Sequence, residues 1–259
     1  MTIIIAGERR FDVTCIVFDK DGTLIDFNLT WGRRMAAWIE AMVSKVDGST
    51  ALAGEISRTL GYDWQQKQVL PDGPTAVTTA VKLVALASGE LYKQGLPWHE
   101  AETLAIETII PTLGAPFQAG EIAALGDVKG TLHKLKQAGI LIAIATGDDR
   151  KPTHEMLAAL DIEDLVDAIL CGDDPLPEKP DPAVIEGIAQ ELGVVPDQML
   201  MVGDTVNDML AGRNAGVAGC IGITGSTGDA AQLAQHADVL LAIIDQITLF
   251  TNVGTSLDD

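Results

Sequence analysis

The sequence predicts an α/β fold: a doubly wound, mostly parallel Rossmann-like sheet core with an inserted all-α domain. Short apolar runs alternate with segments that carry apolar residues at helical spacing, a rhythm typical of a parallel sheet covered on both faces. Roughly a hundred residues separate the first run from the second, far beyond an ordinary crossover. We therefore expect a core formed by residues 1–26 and 120–259, with a helical cap at 27–119.

The first core strand is expected at Cys15–Phe18, where four apolar residues follow one another. Later strands are expected at 140–145, 167–171, 199–202, 217–223 and 239–244. Helical patterns lie between them at 131–138, 153–160, 182–192 and 207–215.

The insertion carries helical patterns broken by glycine and proline. They run over 30–46, 49–59, 74–88 and 98–110. Ser49 and Thr75 are the expected caps of the second and third helices. The insertion resembles a lid over the strand ends, whose closure would exclude water from a site beneath it.

Composition narrows the class of protein. The 259 residues are 47% hydrophobic, enough for a sizeable core, and the formal net charge is −20. Such a surface repels nucleic acid and anionic membranes, so we expect neither as a partner. Three separate cysteines, no signal-peptide pattern and no membrane-length apolar run predict a cytoplasmic protein.

The most informative segment is Asp19-Lys20-Asp21-Gly22-Thr23-Leu24, at the exit of the first strand. Ligands and catalytic groups of open α/β sheets lie at this edge. One carboxylate can attack phosphorus and a second can move a proton, so the segment predicts phosphoryl transfer. A calcium loop is the alternative, but apolar residues follow where further oxygen ligands would be needed.

Thr146-Gly147 and Lys179 follow two further strands. A hydroxyl, a glycine turn with free backbone N–H groups and a fixed ammonium can hold phosphoryl oxygens, although each also occurs in ordinary turns and surface loops. Asp148 and Asp149 could disfavour strongly anionic substrates at the cleft mouth, or could serve the dipole of the next helix.

Gly203-Asp204 ends another apolar strand, and Asp208 follows where a helix is expected to begin. Hard carboxylate oxygens at a strand exit suit Mg²⁺, which needs only one or two protein carboxylates. Helix capping explains Asp208 equally well.

These motifs, in this order at four strand ends, resemble the haloacid dehalogenase (HAD) superfamily. A helical cap between the Asp19 and Thr146 motifs is similar to the phosphoglycolate phosphatase-like branch. The resemblance implies a Mg²⁺-dependent phosphatase that hydrolyses a small phosphorylated metabolite through an aspartyl-phosphate. We expect a monomer or homodimer.

By position, the resemblance implies that Asp19 is the nucleophile and a metal ligand. Asp21 would be the general acid and base, with its backbone carbonyl on the metal. Thr146, Gly147 and Lys179 would hold the phosphoryl group.

The resemblance also implies that Asp204 binds Mg²⁺, directly or through water, and that Asp208 supports the metal site from the helix start. An intramolecular phosphomutase would use the same residues and differ in how the cap excludes water. A phospho-acceptor signalling or binding module is the alternative from another class, but it would not need a lid of this size.

Overall fold

The computed structural model describes residues 2–46, 49–71, 73–118 and 120–250. Their strands are β1 (Ile3–Ala6), β2 (Arg9–Asp12), β3 (Cys15–Phe18), β4 (Tyr62–Asp63), β5 (Gln68–Val69), β6 (Leu141–Ala145), β7 (Ala168–Leu170), β8 (Met199–Gly203), β9 (Gly219–Ile223), β10 (Val239–Leu241) and β11 (Ile247–Phe250). Their α-helices are α1 (Arg33–Val46), α2 (Thr50–Leu60), α3 (Pro74–Val77), α4 (Ala80–Lys93), α5 (Trp98–Ile109), α6 (Val128–Gln137), α7 (Arg150–Ala159), α8 (Ala183–Leu192), α9 (Val206–Ala215) and α10 (Ala230–Leu233).

The core is a six-stranded sheet in the order β10-β9-β8-β3-β6-β7. All its neighbours pair in parallel, and all six strands correspond to predicted apolar runs. Phe18 of β3 pairs with Ile144 of β6 on one side and with Val202 of β8 on the other. The predicted α/β fold is therefore confirmed, and this register brings the carboxyl ends of β3, β6 and β8 together.

Alternate side chains of each central strand enter different apolar clusters. Ile16 and Phe18 of β3 pack on the face covered by α6 and α7, whereas Cys15 and Val17 pack on the face covered by α8 and α9. Since successive strand residues point to opposite faces, an uninterrupted apolar run is what a strand buried on both sides requires.

A second, antiparallel sheet was not predicted. It has the order β11-β1-β2, and Gly7, with φ of 55°, lies in the turn between β1 and β2. Ile4 and Phe11 extend from it into the cluster on the α6 and α7 face. Strand β1 pairs with β2 on one side, through this turn, and on the other side with β11, which lies at the far end of the described chain.

The insertion builds its own apolar cluster from helices α1, α2, α4 and α5. Trp38 at its centre is fully buried and donates from Nε1 to Thr108 Oγ1 at 3.1 Å. The insertion is helical as predicted, apart from a two-stranded ribbon of β4 and β5 that the sequence pattern did not reveal.

The helix predicted at 74–88 is two helices, α3 and α4. Thr78 and Thr79 between them have extended backbones, and the Thr78 hydroxyl donates to the Pro74 carbonyl at 3.0 Å. Two adjacent β-branched residues, one bonded back to the preceding turn, favour this break. Ser49 caps α2 as predicted, but Thr75 lies inside α3 and donates to the Leu60 carbonyl.

The domain boundaries remain predictions. Ala119, at the predicted return to the core, lies outside the described residues, as do residues 251–259 at the predicted end of the core. Among the described residues, no helix combines the length and apolar character needed to cross a membrane.

Candidate active site

Asp19 lies directly after β3, at the centre of the parallel sheet. Its backbone N–H donates to the Val202 carbonyl at 2.8 Å, and its side chain is buried. One carboxylate oxygen each from Asp19, Asp204 and Asp208 lies within 4.8 Å of the others. The fold therefore brings three predicted residues from two strand ends into one buried acidic cluster.

Lys179 is the cation of this cluster. Its Nζ donates to Asp19 Oδ1 at 2.6 Å, to Asp208 Oδ1 at 2.5 Å and to the Ala145 carbonyl at 2.9 Å. Burial lowers the pKa of Lys179, but Asp19 and Asp208 outweigh that effect and raise the pKa above its ordinary value. The ammonium therefore stays charged and joins the ends of β3 and β6 to the start of α9.

Asp208 serves two structural contacts. Its Oδ2 accepts from the Thr205 N–H at 3.0 Å and from the Thr205 hydroxyl at 2.6 Å, which forms a capping box at the start of α9. Its Oδ1 accepts from Lys179. Asp208 is therefore not the N-cap, which is Thr205, but the third helical residue of the capping box, and the same side chain also belongs to the acidic cluster.

Asp204 has a buried carboxylate oxygen to which none of the described residues donates a hydrogen bond. Its Oδ2 accepts from the Thr227 hydroxyl, whereas its Oδ1 is buried and accepts no hydrogen bond from any residue that the structure describes. An unpaired buried carboxylate oxygen is costly unless a cation binds it. This atom is the strongest indication of a metal ligand in the site.

The electrostatics of the cluster also favour a bound cation. Burial, together with Asp208 and Asp21, raises the pKa of Asp19 to about 7 against the lowering effect of Lys179. Burial, Asp19 and Asp208 hold the pKa of Asp204 well above its ordinary value. Three carboxylates share one ammonium, and a divalent cation would supply the missing positive charge.

Gly22 allows the Asp19 loop to pass close to Asp204. Its φ is 82°, and a Cβ at this position would lie 2.0 Å from Asp204 Oδ2. Its N–H donates to the Ile25 carbonyl at 2.8 Å and closes the turn. Only glycine combines this backbone conformation with this approach.

Thr146 is buried beside Asp19, at the end of β6. Its N–H donates to the Leu170 carbonyl at 3.0 Å, because the β6–β7 ladder continues by one residue. Its hydroxyl oxygen accepts from the Asp148 N–H at 3.2 Å and keeps its own proton for an anion. Gly147 follows with open space where a side chain would point.

Asp21 lies outside the acidic cluster and has partners that the sequence did not reveal. Its Oδ2 accepts from Lys20 Nζ, and its Oδ1 accepts from Trp31 Nε1 at 2.6 Å. Lys20 also donates to Asp148 Oδ2 at 2.8 Å. Asp148 is therefore the ion-pair partner of Lys20. The sequence pattern indicates only a charge at the cleft mouth or a residue that serves the dipole of the next helix.

A cleft of about 170 Å³ opens beside Asp204. Pro71 and Val77 of the insertion line it, together with Asp229 and Gln232 of the core. None of the described residues that line this cleft is a lysine or arginine. Of the acidic cluster, Asp204 lines this cleft, whereas Asp19, Asp208 and Lys179 do not; the side chains around it are apolar, neutral or acidic.

Comparison with known proteins identifies the family. The model of the haloacid dehalogenase-like hydrolases matches residues 13–216, which contain every predicted site residue. The chain belongs to this family. The family model confirms the predicted superfamily, and the relatives below, which are phosphoglycolate phosphatases, confirm the predicted resemblance to that branch.

Two family members cover most of the chain. The chain is 28% identical to a phosphoglycolate phosphatase of Psychrobacter arcticus over 204 residues, which are 79% of the chain and 80% of that protein. It is 30% identical to a phosphoglycolate phosphatase of Agrobacterium fabrum over 202 residues, which are 78% of the chain and 76% of that protein. The crystal structure of a predicted phosphoglycolate phosphatase from Haemophilus somnus aligns with a TM-score of 0.68, 23% identity and coverage of 90% of the chain and 95% of that protein.

Proposed function

We propose that this protein is a Mg²⁺-dependent phosphatase that hydrolyses a small phosphomonoester through an aspartyl-phosphate on Asp19. One observation carries the proposal: a buried strand-end carboxylate lies within reach of a fixed ammonium and of an unpaired carboxylate oxygen. Nucleophile, anion-neutralising cation and metal ligand are the groups that phosphoryl transfer needs.

In the first step, a carboxylate oxygen of Asp19 forms a bond to phosphorus as the bond from phosphorus to the substrate alcohol breaks. Asp21 gives its proton to the leaving alkoxide. Lys179, which is hydrogen-bonded to Asp19, neutralises charge on the phosphoryl oxygens. The Thr146 hydroxyl and the Gly147 turn bind those oxygens.

In the second step, Asp21 takes a proton from water, and that water attacks phosphorus. Inorganic phosphate leaves and the carboxylate of Asp19 is restored. Asp21 therefore acts first as an acid and then as a base, which requires its carboxyl group to be held at a fixed position throughout.

The acidic cluster fits Mg²⁺, because its donors are hard carboxylate oxygens and one of them is buried and unpaired. Asp19 and Asp204 would hold the ion with the backbone carbonyl of Asp21, and Asp208 would support it from the helix start. When bound, Mg²⁺ neutralises charge on the phosphoryl group.

Residues 27–119 act in this proposal as a cap that closes over the cleft. Pro71 and Val77 of the insertion already line it, and Lys82 of α4 donates to Glu178, beside Lys179, at 2.7 Å. Closure would exclude water during the first step and select the alcohol part of the substrate.

The substrate panel should include phosphoglycolate, since the relatives carry that name. It should also include phosphomonoesters of uncharged alcohols. We expect uncharged alcohols to be preferred, because the cleft lining contains the carboxylate of Asp229 and, among the described residues, no basic side chain that would bind a second anionic group.

The experiment is steady-state phosphate release from this panel and from para-nitrophenyl phosphate, with Mg²⁺ or EDTA, for wild type and Asp19→Asn. The proposal expects release by wild type with Mg²⁺ and its loss in EDTA and in Asp19→Asn. If wild type isomerises a sugar phosphate without releasing phosphate, the protein is a phosphomutase. If Asp19 becomes phosphorylated without turnover, it is a phospho-acceptor module.

A further inference from the structure

Lys20 is a fully buried lysine in the middle of the first motif. Lysine side chains are rarely buried without partners. The Lys20 ammonium donates to Asp21 Oδ2, to Asp148 Oδ2 at 2.8 Å and to Met156 Sδ at 2.9 Å. It therefore joins the loop after β3 to the loop after β6 and to helix α7.

Two carboxylates surround the Lys20 ammonium. It forms ion pairs with Asp21 and with Asp148, the latter at 2.8 Å. A buried ammonium with two carboxylate partners is a fixed charge, and the Asp21 side chain, 14% exposed, is more buried than that of Asp148, 27% exposed.

Both oxygens of Asp21 have donors. Lys20 binds Oδ2, and the indole N–H of Trp31 binds Oδ1 at 2.6 Å. Trp31 is itself held by an edge contact with Phe117, with ring centres 5.6 Å apart. Two donors on opposite oxygens restrict the carboxyl group to one orientation.

We propose that Lys20 is a positioning residue that holds the Asp21 carboxyl group in place for proton transfer, and that Asp148 anchors Lys20 from behind. This inference rests on the proposed function, in which Asp21 is the general acid and base. Stability alone is a weak explanation for the cluster, because desolvation of a buried ion pair largely cancels the attraction between its charges.

The test uses the leaving group. Alcohol release is the first irreversible step, so kcat/KM reports the step in which Asp21 protonates the leaving oxygen. Nitrophenolate leaves without help from an acid, whereas an alkoxide does not. A displaced Asp21 therefore lowers kcat/KM selectively for an alkyl phosphate, and lowers kcat for both substrates because water activation follows in each.

Lys20→Met is compared with wild type, Asp21→Asn and Lys136→Met on para-nitrophenyl phosphate and on the best alkyl phosphate of the panel. Lys136 forms an ion pair with Asp167, away from the carboxyl ends of the strands. Lys136→Met is therefore the control, and it should leave kcat/KM unchanged for both esters. Asp21→Asn should lower kcat/KM for the alkyl ester by about 10²–10⁴-fold. Lys20→Met should lower kcat/KM by about 100-fold for the alkyl ester and by less than about threefold for the aryl ester.

Equal losses on the two esters, or no loss, would overturn the positioning role. Thermal denaturation shows whether Lys20→Met is folded; if it is not, Asp148→Ala removes the anchor instead, and the same selective loss on the alkyl ester is expected. The proposed function fails separately, if wild type releases no phosphate or if Asp21→Asn shows no leaving-group selectivity.

Discussion

Arg34 binds both carboxylate oxygens of Glu121. Its Nε donates to Oε1 at 3.2 Å and its Nη2 to Oε2 at 2.8 Å. The guanidinium is buried, packs over the Phe117 ring at 3.9 Å and also donates to the Ala115 carbonyl at 2.5 Å. This one side chain joins the first helix of the insertion to the segment that returns to the core.

Glu121→Gln should destabilise the protein at neutral pH by about 1.5–3 kcal/mol, the size of a hydrogen bond between charged groups. Hydrogen bonds from Arg34 hold the pKa of Glu121 below its ordinary value of 4.5. A depressed pKa stabilises the fold above the unfolded value, and that stabilisation is lost as pH falls through the folded value. The difference between wild type and variant should therefore shrink below pH 4.5.

Urea denaturation across this pH range measures the effect. Glu55→Gln is the matched control, because Glu55 pairs with Arg58 on the exposed surface and such pairs contribute little. The account is contradicted if both variants lose the same free energy of unfolding, or if the loss in Glu121→Gln does not change with pH. Either result would show that the Arg34–Glu121 contact stabilises the fold no more than an exposed pair does.

Lys179→Met should lower the free energy of unfolding by about 3–5 kcal/mol, since it leaves Asp19 and Asp208 buried without their cation. Mg²⁺ should restore part of this loss and stabilise the variant more than wild type, because it then supplies the only compensating charge in the cluster. Urea denaturation with and without Mg²⁺ measures both effects. Lys129→Met, which removes an exposed pair with Asp161, should change neither.

Gly22→Ala should abolish Mg²⁺ binding, because the new methyl carbon would lie 2.0 Å from Asp204 Oδ2 and displace that carboxylate. Gly139→Ala is the matched control: Gly139 has a similar φ of 81°, but a Cβ there meets nothing within 4 Å. Both variants should lose about 1 kcal/mol from backbone strain. Only Gly22→Ala should lose the rise in Tm on addition of Mg²⁺, and retention of that rise would contradict the assigned role of Asp204.

The sequence predicted the central strands and the cluster at their ends because both depend on local pattern. A buried parallel strand requires an apolar run, as at Cys15–Phe18, and the chain direction then brings Asp19 and Asp204 to the same edge. The parallel direction of the strands could be predicted without knowledge of any single side-chain contact.

Features that depend on distant partners were missed. Lys20 is adjacent to Asp21 in sequence, but its burial depends on Asp148, 128 residues away. The hairpin of β1 and β2 becomes part of a three-stranded sheet because Ile3–Ala6 also pairs with Ile247–Phe250. In both cases a residue's environment is set by a segment that no local pattern connects to it, as tertiary contacts override local preference.

Covalent catalysis by Asp19 is tested most directly by trapping its phosphorylated form. Enzyme in excess is mixed with para-nitrophenyl phosphate and Mg²⁺, quenched at intervals and digested for mass spectrometry. Asp21→Asn is measured beside wild type, since loss of the base that activates water should let the intermediate accumulate. We predict a hydroxylamine-sensitive phosphoryl group on the peptide that contains Asp19, absent from Asp19→Asn; phosphorylation of another residue, or full turnover by Asp19→Asn, would contradict the mechanism.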